Sequence, residues 1–367
     1  MRSRKLILLM LLCFIQLSMS AEEILNGIYA GRILLLDGKG NIYVDYGSHS
    51  ISKYSPKGEL ICKMGRKGEG PGDIKRLGGF AIHPKDNKIF VTEFYGGNKW
   101  ISIFSSDGKF LDEWNCELDW GKIKAVSDIK FDSKGNVFLQ TERSLFRRHK
   151  DFSIMAVERI VTKFSPEGKK LKEIYKMTSD FSASKGGKGE ITIPFCNYLF
   201  WNIHEDKIFV RENTDGIIHI FDNDGNLLKD IPSPFPMQKV TKKDLDEWED
   251  KLASIDWIKD GIAQGWFDLK FWRKNLPFPR YKPVSGSQLF FDSHGCLYSM
   301  KYHMKSTDWK KYAKIDLSNY SMSMVSSNPG EWLMLFWKDY AFILRKNSDS
   351  NYLVVKTNAE EFFKDDR

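Results

Sequence analysis

The chain has 367 residues and a formal net charge of +8, and 42% of its residues are hydrophobic and 14% aromatic. Acidic and basic residues interleave along its length. No Lys/Arg block with interleaved aromatics appears, which argues against a nucleic-acid partner.

The chain opens with Met1-Arg2-Ser3-Arg4-Lys5, an apolar run from Leu6 to Leu17, and then Ser18-Met19-Ser20-Ala21. A basic start, a short apolar centre and small residues predict a secretory signal peptide over 1–20, cut before Ala21. An anchor helix needs roughly 20 apolar residues, and this run is too short. Cys13 follows Leu12 inside the run, which does not suit a lipoprotein. No later stretch is long and apolar enough to span a bilayer as a helix, so an integral membrane protein is not expected. The expected location is secreted or periplasmic, and loss of Arg2, Arg4 and Lys5 takes the formal charge from +8 to +5. Cys62, Cys116, Cys196 and Cys296 remain. Their spacings match no metal motif. Each falls in or beside a predicted strand, where a buried free thiol is ordinary, so no disulfide is expected.

Residues Ile51 to Trp114 carry the repeating unit. Four β-prone runs, Gly78 to His83, Lys88 to Glu93, Lys99 to Phe104 and Lys109 to Trp114, are each ended by Gly, Pro, Asn or Asp. That pattern predicts a four-stranded antiparallel meander. A turn followed by a short apolar strand then recurs along the chain. Asp37-Gly38-Lys39-Gly40-Asn41 precedes Ile42-Tyr43-Val44, and Asp132-Ser133-Lys134-Gly135-Asn136 precedes Val137-Phe138-Leu139. Counting Ile42, Ile89, Val137, Ile208, Leu297 and Phe342 gives intervals of 47, 48, 71, 89 and 45. The short intervals fit one propeller blade, and the long ones are the same period with insertions. A second landmark is a hairpin between outer strands, as in KYSPKGEL (Lys53 to Leu60) and KFSPEGKKL (Lys163 to Leu171). The reading is an all-β, six-bladed β-propeller over 21–367. The last blade shows three strands, and Glu23 to Ala30 is left over at the other end to close the ring.

The first insertion is placed around Leu145 to Arg159, with a Gly/Lys loop at Ser184 to Glu190. The second is a helical and aromatic insertion between blades four and five, about 232–284. A helix start is read at Thr241 with Asp244 three residues on, followed by an apolar stripe at Leu245, Trp248 and Leu252. The segment is expected to lie across one face of the disc.

With these blades in place the sequence resembles the six-bladed β-propellers of the NHL-repeat-like superfamily, exported bacterial members in particular. The resemblance rests on GRKGEGPGDIKRLGGF (Gly65 to Phe80), on the IYV and IFV strands followed by Asp45 or Glu93, and on the FSPEG-type hairpins. Members of that group bind proteins, peptides or glycans, and others are hydrolases or lyases, a choice that fold does not make.

Asp45, Glu93, Glu142 and Glu212 follow the second strand of four consecutive blades. Around a central opening they would hold Ca²⁺, as in calcium-dependent propeller esterases and lactonases; alternatively each accepts hydrogen bonds within its own blade. The Asn ligands and His pair of those enzymes are missing from the pattern. No HxH, HExxH or GxSxG occurs. Trp266, Phe267, Trp272, Arg273 and Tyr281 form the expected contact surface, because Trp, Tyr and Arg dominate binding hot spots. The expectation is a cofactor-free binding or scaffolding module for a protein, peptide or glycan, the alternative being a metal-dependent hydrolase or lyase.

Overall fold

The structure, a computed structural model, describes residues 22–28, 34–45, 49–94, 101–186, 188–233, 235–265, 267–301, 310–328, 330–346 and 352–365. The expected signal peptide, 1–20, lies outside them.

Strand β1 (Glu22–Ile28) finds no partner among its sequence neighbours and pairs instead with the far end of the chain. The following strands form sheets in simple succession. The first holds β2 (Leu34–Leu36), β3 (Ile42–Asp45), β4 (Ile51–Tyr54) and β5 (Leu60–Met64). The second holds β6 (Leu77–Ile82), β7 (Ile89–Glu93), β8 (Ile101–Phe104) and β9 (Phe110–Trp114). The third holds β10 (Ala125–Phe131), β11 (Val137–Arg148), β12 (Ser153–Phe164), β13 (Lys170–Lys185) and β14 (Lys188–Thr192). The fourth holds β15 (Leu199–His204), β16 (Lys207–Glu212), β17 (Ile217–Phe221) and β18 (Leu227–Pro232). Three helices follow: α1 (Lys242–Ala253), α2 (Asp256–Ala263) and α3 (Leu269–Asn275). The fifth sheet holds β19 (Ser285–Phe291), β20 (Cys296–Lys301), β21 (Lys310–Asp316) and β22 (Met322–Ser327). The sixth holds β23 (Glu331–Trp337), β24 (Tyr340–Lys346) and β25 (Tyr352–Asn358), with β1 against β25. A short helix α4 (Ala359–Phe362) and strand β26 (Lys364–Asp365) carry the tail back onto β22. The architecture is all-β and propeller-like. Glu22 faces Lys356 and Leu25 faces Val354 across the terminal pair, which covers what would otherwise be an open edge.

The repeated sequence landmarks have local causes. Asp37 accepts from the Lys39 and Asn41 amides, both at 2.9 Å, and from Asn41 Nδ2 at 2.8 Å. Asp132 repeats this with Lys134, Asn136 and Asn136 Nδ2 at 3.0, 2.8 and 2.6 Å. Asp292 does so with His294 and Cys296 at 3.0 and 2.8 Å. In these three sheets a side-chain carboxylate that mimics the backbone turn fixes the bend before the second strand. The lysine that opens the KYSP and KFSP hairpins ties one sheet to the next. Buried Lys53 donates to Ser106 O at 2.8 Å, in the outer turn of the second sheet. Buried Lys163 donates to Asn223 O at 2.6 Å and Oδ1 at 2.8 Å, in the outer turn of the fourth. Each also sits over an aromatic ring across the strand pair, Tyr43 at 5.2 Å and Phe138 at 5.6 Å. A buried ammonium is tolerated because it is fully engaged in this way.

The apolar cores lie between the sheets. Tyr43, Ile51 and Met64 meet Phe80, Ile89 and Phe104 between the first and second. Phe90 and Trp114 meet Ile129 and Phe164 between the second and third. Similar clusters join third to fourth, fourth to fifth, fifth to sixth and sixth to first. The terminal strand contributes Ile24 and Leu25 to the last of these. Such sheets are stable because each buries both faces against its neighbours, at about 25 cal/mol per Å² of apolar area.

The third sheet departs from the expected loop at 184–190. Strands β11 and β12 continue in unbroken register for 12 residues each, Arg148 facing Ser153 at the tip. Strand β13 runs on to Lys185 and turns back into β14. The extension exists because one of its faces is covered: Ile154, Ala183, Ile191 and Ile193 pack against Phe267, Trp272 and Leu276 of the helical segment. Helix α1 starts where the residues at 241–244 indicate. The Thr241 hydroxyl accepts from the Asp244 amide at 3.3 Å, and the Thr241 amide donates to Asp244 Oδ2 at 2.8 Å, a reciprocal cap. The four cysteines among the described residues are free, Cys196 and Cys296 buried and Cys62 and Cys116 half-buried.

Candidate functional site

The first strands of all six sheets contribute to one cavity of about 790 Å³. Leu35 comes from β2, Ile82 from β6, Lys130 from β10, Asn202 from β15, Phe290 from β19 and Trp332 from β23. Each of these strands lines the cavity with its length while its side chains alternate between the cores on the two faces of its sheet, the ordinary period of two. Leu34 and Leu36 pack toward the sixth sheet and Leu35 toward the second, and Ile129 is buried in a core while Asp128 and Lys130 are half-buried. The wall is mostly apolar and aromatic, with polar groups at defined places. Lys130 Nζ lies 3.1 Å from Asp128 Oδ2 and 5.2 Å from the Trp201 ring centroid. Ion pair and ring together hold the ammonium in place, the ring adding about 0.5–2 kcal/mol. Gln140 Nε2 donates to Ser127 Oγ at 2.9 Å, and Asn202 Nδ2 donates to Leu289 O at 2.9 Å, tying the fourth sheet to the fifth. A concave, largely apolar space with a few placed polar groups is the usual form of a ligand site.

Beside the wall lies Arg211, which is fully buried. Its Nη1 donates to Ser299 Oγ on β20, and its guanidinium sits 5.5 Å from the ring centroid of Phe200, a cavity-lining residue. Burial pulls its pKa down to about 9, against the attraction of Asp215. An arginine this deep keeps its charge only through such polar neighbours.

The four carboxylates singled out for calcium sit elsewhere. None lines the cavity. Asp45 is buried at the end of β3. Glu93 accepts from the Lys75 amide at 3.1 Å. Glu142 pairs with Arg159 Nε at 3.0 Å. Glu212 accepts from Tyr175 OH at 2.8 Å and from Asn197 Nδ2. Burial pushes the Tyr175 phenol well above its usual range, and the bond to Glu212 pushes it further. Among the described residues no group of three or more His, Cys, Asp or Glu is arranged to hold a metal. Asp45, Glu93 and Glu212 end second strands, and Glu142 lies within one, each one strand out from the cavity wall.

The aromatic segment divides differently from its composition. Phe267 and Trp272 are 6% and 2% exposed and form the core under the third-sheet extension. Trp272 meets Phe152 edge-on at 5.9 Å and Phe271 at 5.2 Å. Arg273 holds α3 to α1 through Asp246 at 2.7 Å and through Glu249. Tyr281 forms an isolated bridge with Lys239. Trp266 lies outside the described residues. Packing therefore accounts for Phe267 and Trp272, while Trp257 is 53% exposed. The cavity residues were not singled out from sequence. Their signal was available: Leu34 to Leu36, Ser127 to Lys130 and Phe200 to Ile203 occupy the same place ahead of each landmark turn.

No protein-family model matches the chain, and no curated protein matches it in sequence. Among solved structures it is similar to a member of the DUF4221 family from Bacteroides vulgatus ATCC 8482, with a TM-score of 0.53, 11% identity and 94% of each chain covered. It is also similar to the WD40 repeats of RRP9, at a TM-score of 0.48 and 9% identity over 92% of this chain and 100% of that one. A gluconolactonase from Xanthomonas campestris gives a TM-score of 0.45 and 12% identity, over 87% of this chain and 82% of that one. At such identities the likeness concerns the fold alone, and that fold is β-propeller-like.

Proposed function

We propose that the chain is an exported, six-bladed propeller of the NHL-repeat-like kind that serves as a binding module, its ligand entering the central cavity. The ring is supported by inter-sheet cores that run in cyclic order and by the β1–β25 pairing. The cavity itself carries the functional reading: about 790 Å³, apolar and aromatic, with the Asp128–Lys130 pair and the side-chain amides of Asn202 and Gln140 set into its wall. That chemistry suits a peptide or protein loop that inserts an apolar side chain and places its amide groups against the polar positions. The hydrolase or lyase alternative draws on Asp45, Glu93, Glu142 and Glu212, of which Glu142 and Glu212 are held by side chains of their own surroundings. Residues 1–20 would leave on export, so the mature protein from its host should begin at Ala21 by mass.

The test is a peptide array and a glycan array probed with the wild type and with Leu35→Trp, which narrows the cavity at its wall. Array binding lost in Leu35→Trp with melting unchanged supports the reading, and the array that responds names the ligand class. Equal binding by both proteins, or binding lost only on deleting 241–275, overturns it and moves the ligand to the helical segment.

A further inference from the structure

The extension of the third sheet ends in an edge that no strand among the described residues covers. Strand β10 pairs with β11 only as far as Ala125 against Glu142, where the Lys124 amide donates to Glu142 O at 2.8 Å. Beyond that point Arg143 to Arg148 pair with β12 on one side alone, among the described residues. At the tip the His149 amide donates to Phe152 O. Backbone groups in an antiparallel strand alternate direction. With residue 149 facing β12 and residue 142 facing β10, the amides and carbonyls of Ser144, Phe146 and Arg148 point outward from the open side.

An open edge of this kind is a template for another strand. Its side chains say what kind. Leu145 and Phe146 are 41% and 72% exposed. Arg147, Arg148 and Lys150 are exposed beside them, and no carboxylate among the described residues pairs with Arg148 or Lys150. We propose that the edge of β11 from Ser144 to Arg148 is a docking site for an extended, acidic segment of a partner protein. The segment would add to the sheet through main-chain hydrogen bonds, set an apolar side chain against Phe146 and place its carboxylates by Arg148 and Lys150.

Two other occupants fit less well. A second copy of the chain would bring two arginine-rich edges within one strand spacing, where like charges oppose pairing. A bilayer would need an apolar tip, yet the tip's Phe152 turns inward, meeting Phe271 at 6.0 Å and Trp272 at 5.9 Å. This site lies apart from the cavity and does not depend on the cavity reading.

The probe is a fluorescein-labelled peptide of alternating Asp and Val with one central Leu, followed by anisotropy against the mature protein. An Asn-for-Asp version serves as the neutral comparison. The acidic peptide should bind, and more weakly as salt is raised. Phe146→Pro removes an outward N–H and the apolar anchor, and a proline is tolerated at a strand edge. It should weaken binding by about tenfold or more. Arg148→Glu/Lys150→Glu, surface changes that leave the fold untouched, should do the same, whereas Lys57→Glu/Lys109→Glu should stay within about twofold. No binding, equal binding by all variants, or equal binding of the neutral peptide overturns the proposal. So does a dimer in light scattering that Phe146→Pro abolishes, which assigns the edge to a second copy. Phe146-dependent sedimentation with phosphatidylglycerol vesicles in place of peptide binding assigns it to lipid instead.

Discussion

Replacing Trp272 by alanine separates packing from contact in the helical segment. The side chain is 2% exposed and sits among Ile154, Ala183, Ile191, Phe267 and Leu276. Truncating a buried tryptophan removes its transfer free energy and leaves a cavity, together about 3–5 kcal/mol. The segment is joined to the sheets mainly through this cluster, so the loss should appear first as local opening of 241–276. At about 1.4 kcal/mol per decade, 3 kcal/mol raises the opening equilibrium by about two orders of magnitude. Native-state proteolysis measures this directly, as the rate of first cleavage within 241–276, mapped by mass. Trp257→Ala is the companion, because Trp257 is 53% exposed. Its cost should not exceed about 1 kcal/mol. Cleavage of Trp272→Ala within about threefold of wild type would refute the packing assignment. Unchanged cleavage with lost ligand binding would return Trp272 to the contact surface.

Lys163→Met should lower stability by about 1–3 kcal/mol in urea unfolding, since it strips the donor from Asn223 O and leaves the fully buried Asp132 carboxylate without its nearby cation. Gly58 has φ +84°, and a Cβ there would collide with the Ile24 carbonyl oxygen. Gly58→Ala should therefore loosen β1, seen as faster amide exchange across Glu22 to Leu25 with little change in the central strands. His219 is bonded to Asp215 Oδ2 at 3.4 Å and Asp230 Oδ1 at 2.7 Å. The bond to Asp215 raises its pKa most, burial opposes, and Asp230 adds to the rise. A histidine whose folded pKa is raised stabilises fully below its unfolded value near 6.5 and loses that contribution as pH climbs through the folded value. The melting temperature of wild type should exceed that of His219→Asn most at about pH 6 and least at about pH 8.5, a gap that a pH series of melts would show constant if the pairing is inert.

Much of this fold was legible because its causes are short-range. The Asp37 and Asp132 turns close within five residues through a side chain and its own backbone, so the period near 47 stands out in the chain itself. The Thr241–Asp244 cap is equally local. Where the readings diverged, the cause was distant. Composition marked 265–283 as a sticky surface, yet Phe267 and Trp272 find the third-sheet extension to cover them. The Gly and Lys residues at 184–190 read as a loop, yet Ile191 and Ala183 face each other in a hairpin held by that same packing. The carboxylates at 93, 142 and 212 share a place in the repeat, but a shared place in a ring means equal distance from the axis, not proximity.

The amino-acid sequence alone therefore determined the recurring strands, their turns and the leftover strand at the N-terminus, because hydrogen bonds and alternation over a few residues specify them, but not the fifth strands of the third and fifth sheets. Only the tertiary structure decided that the first strands enclose a cavity, which aromatics are buried and which strand edge lacks a partner among the described residues. Those outcomes depend on contacts between segments far apart in the chain, and no local pattern encodes them.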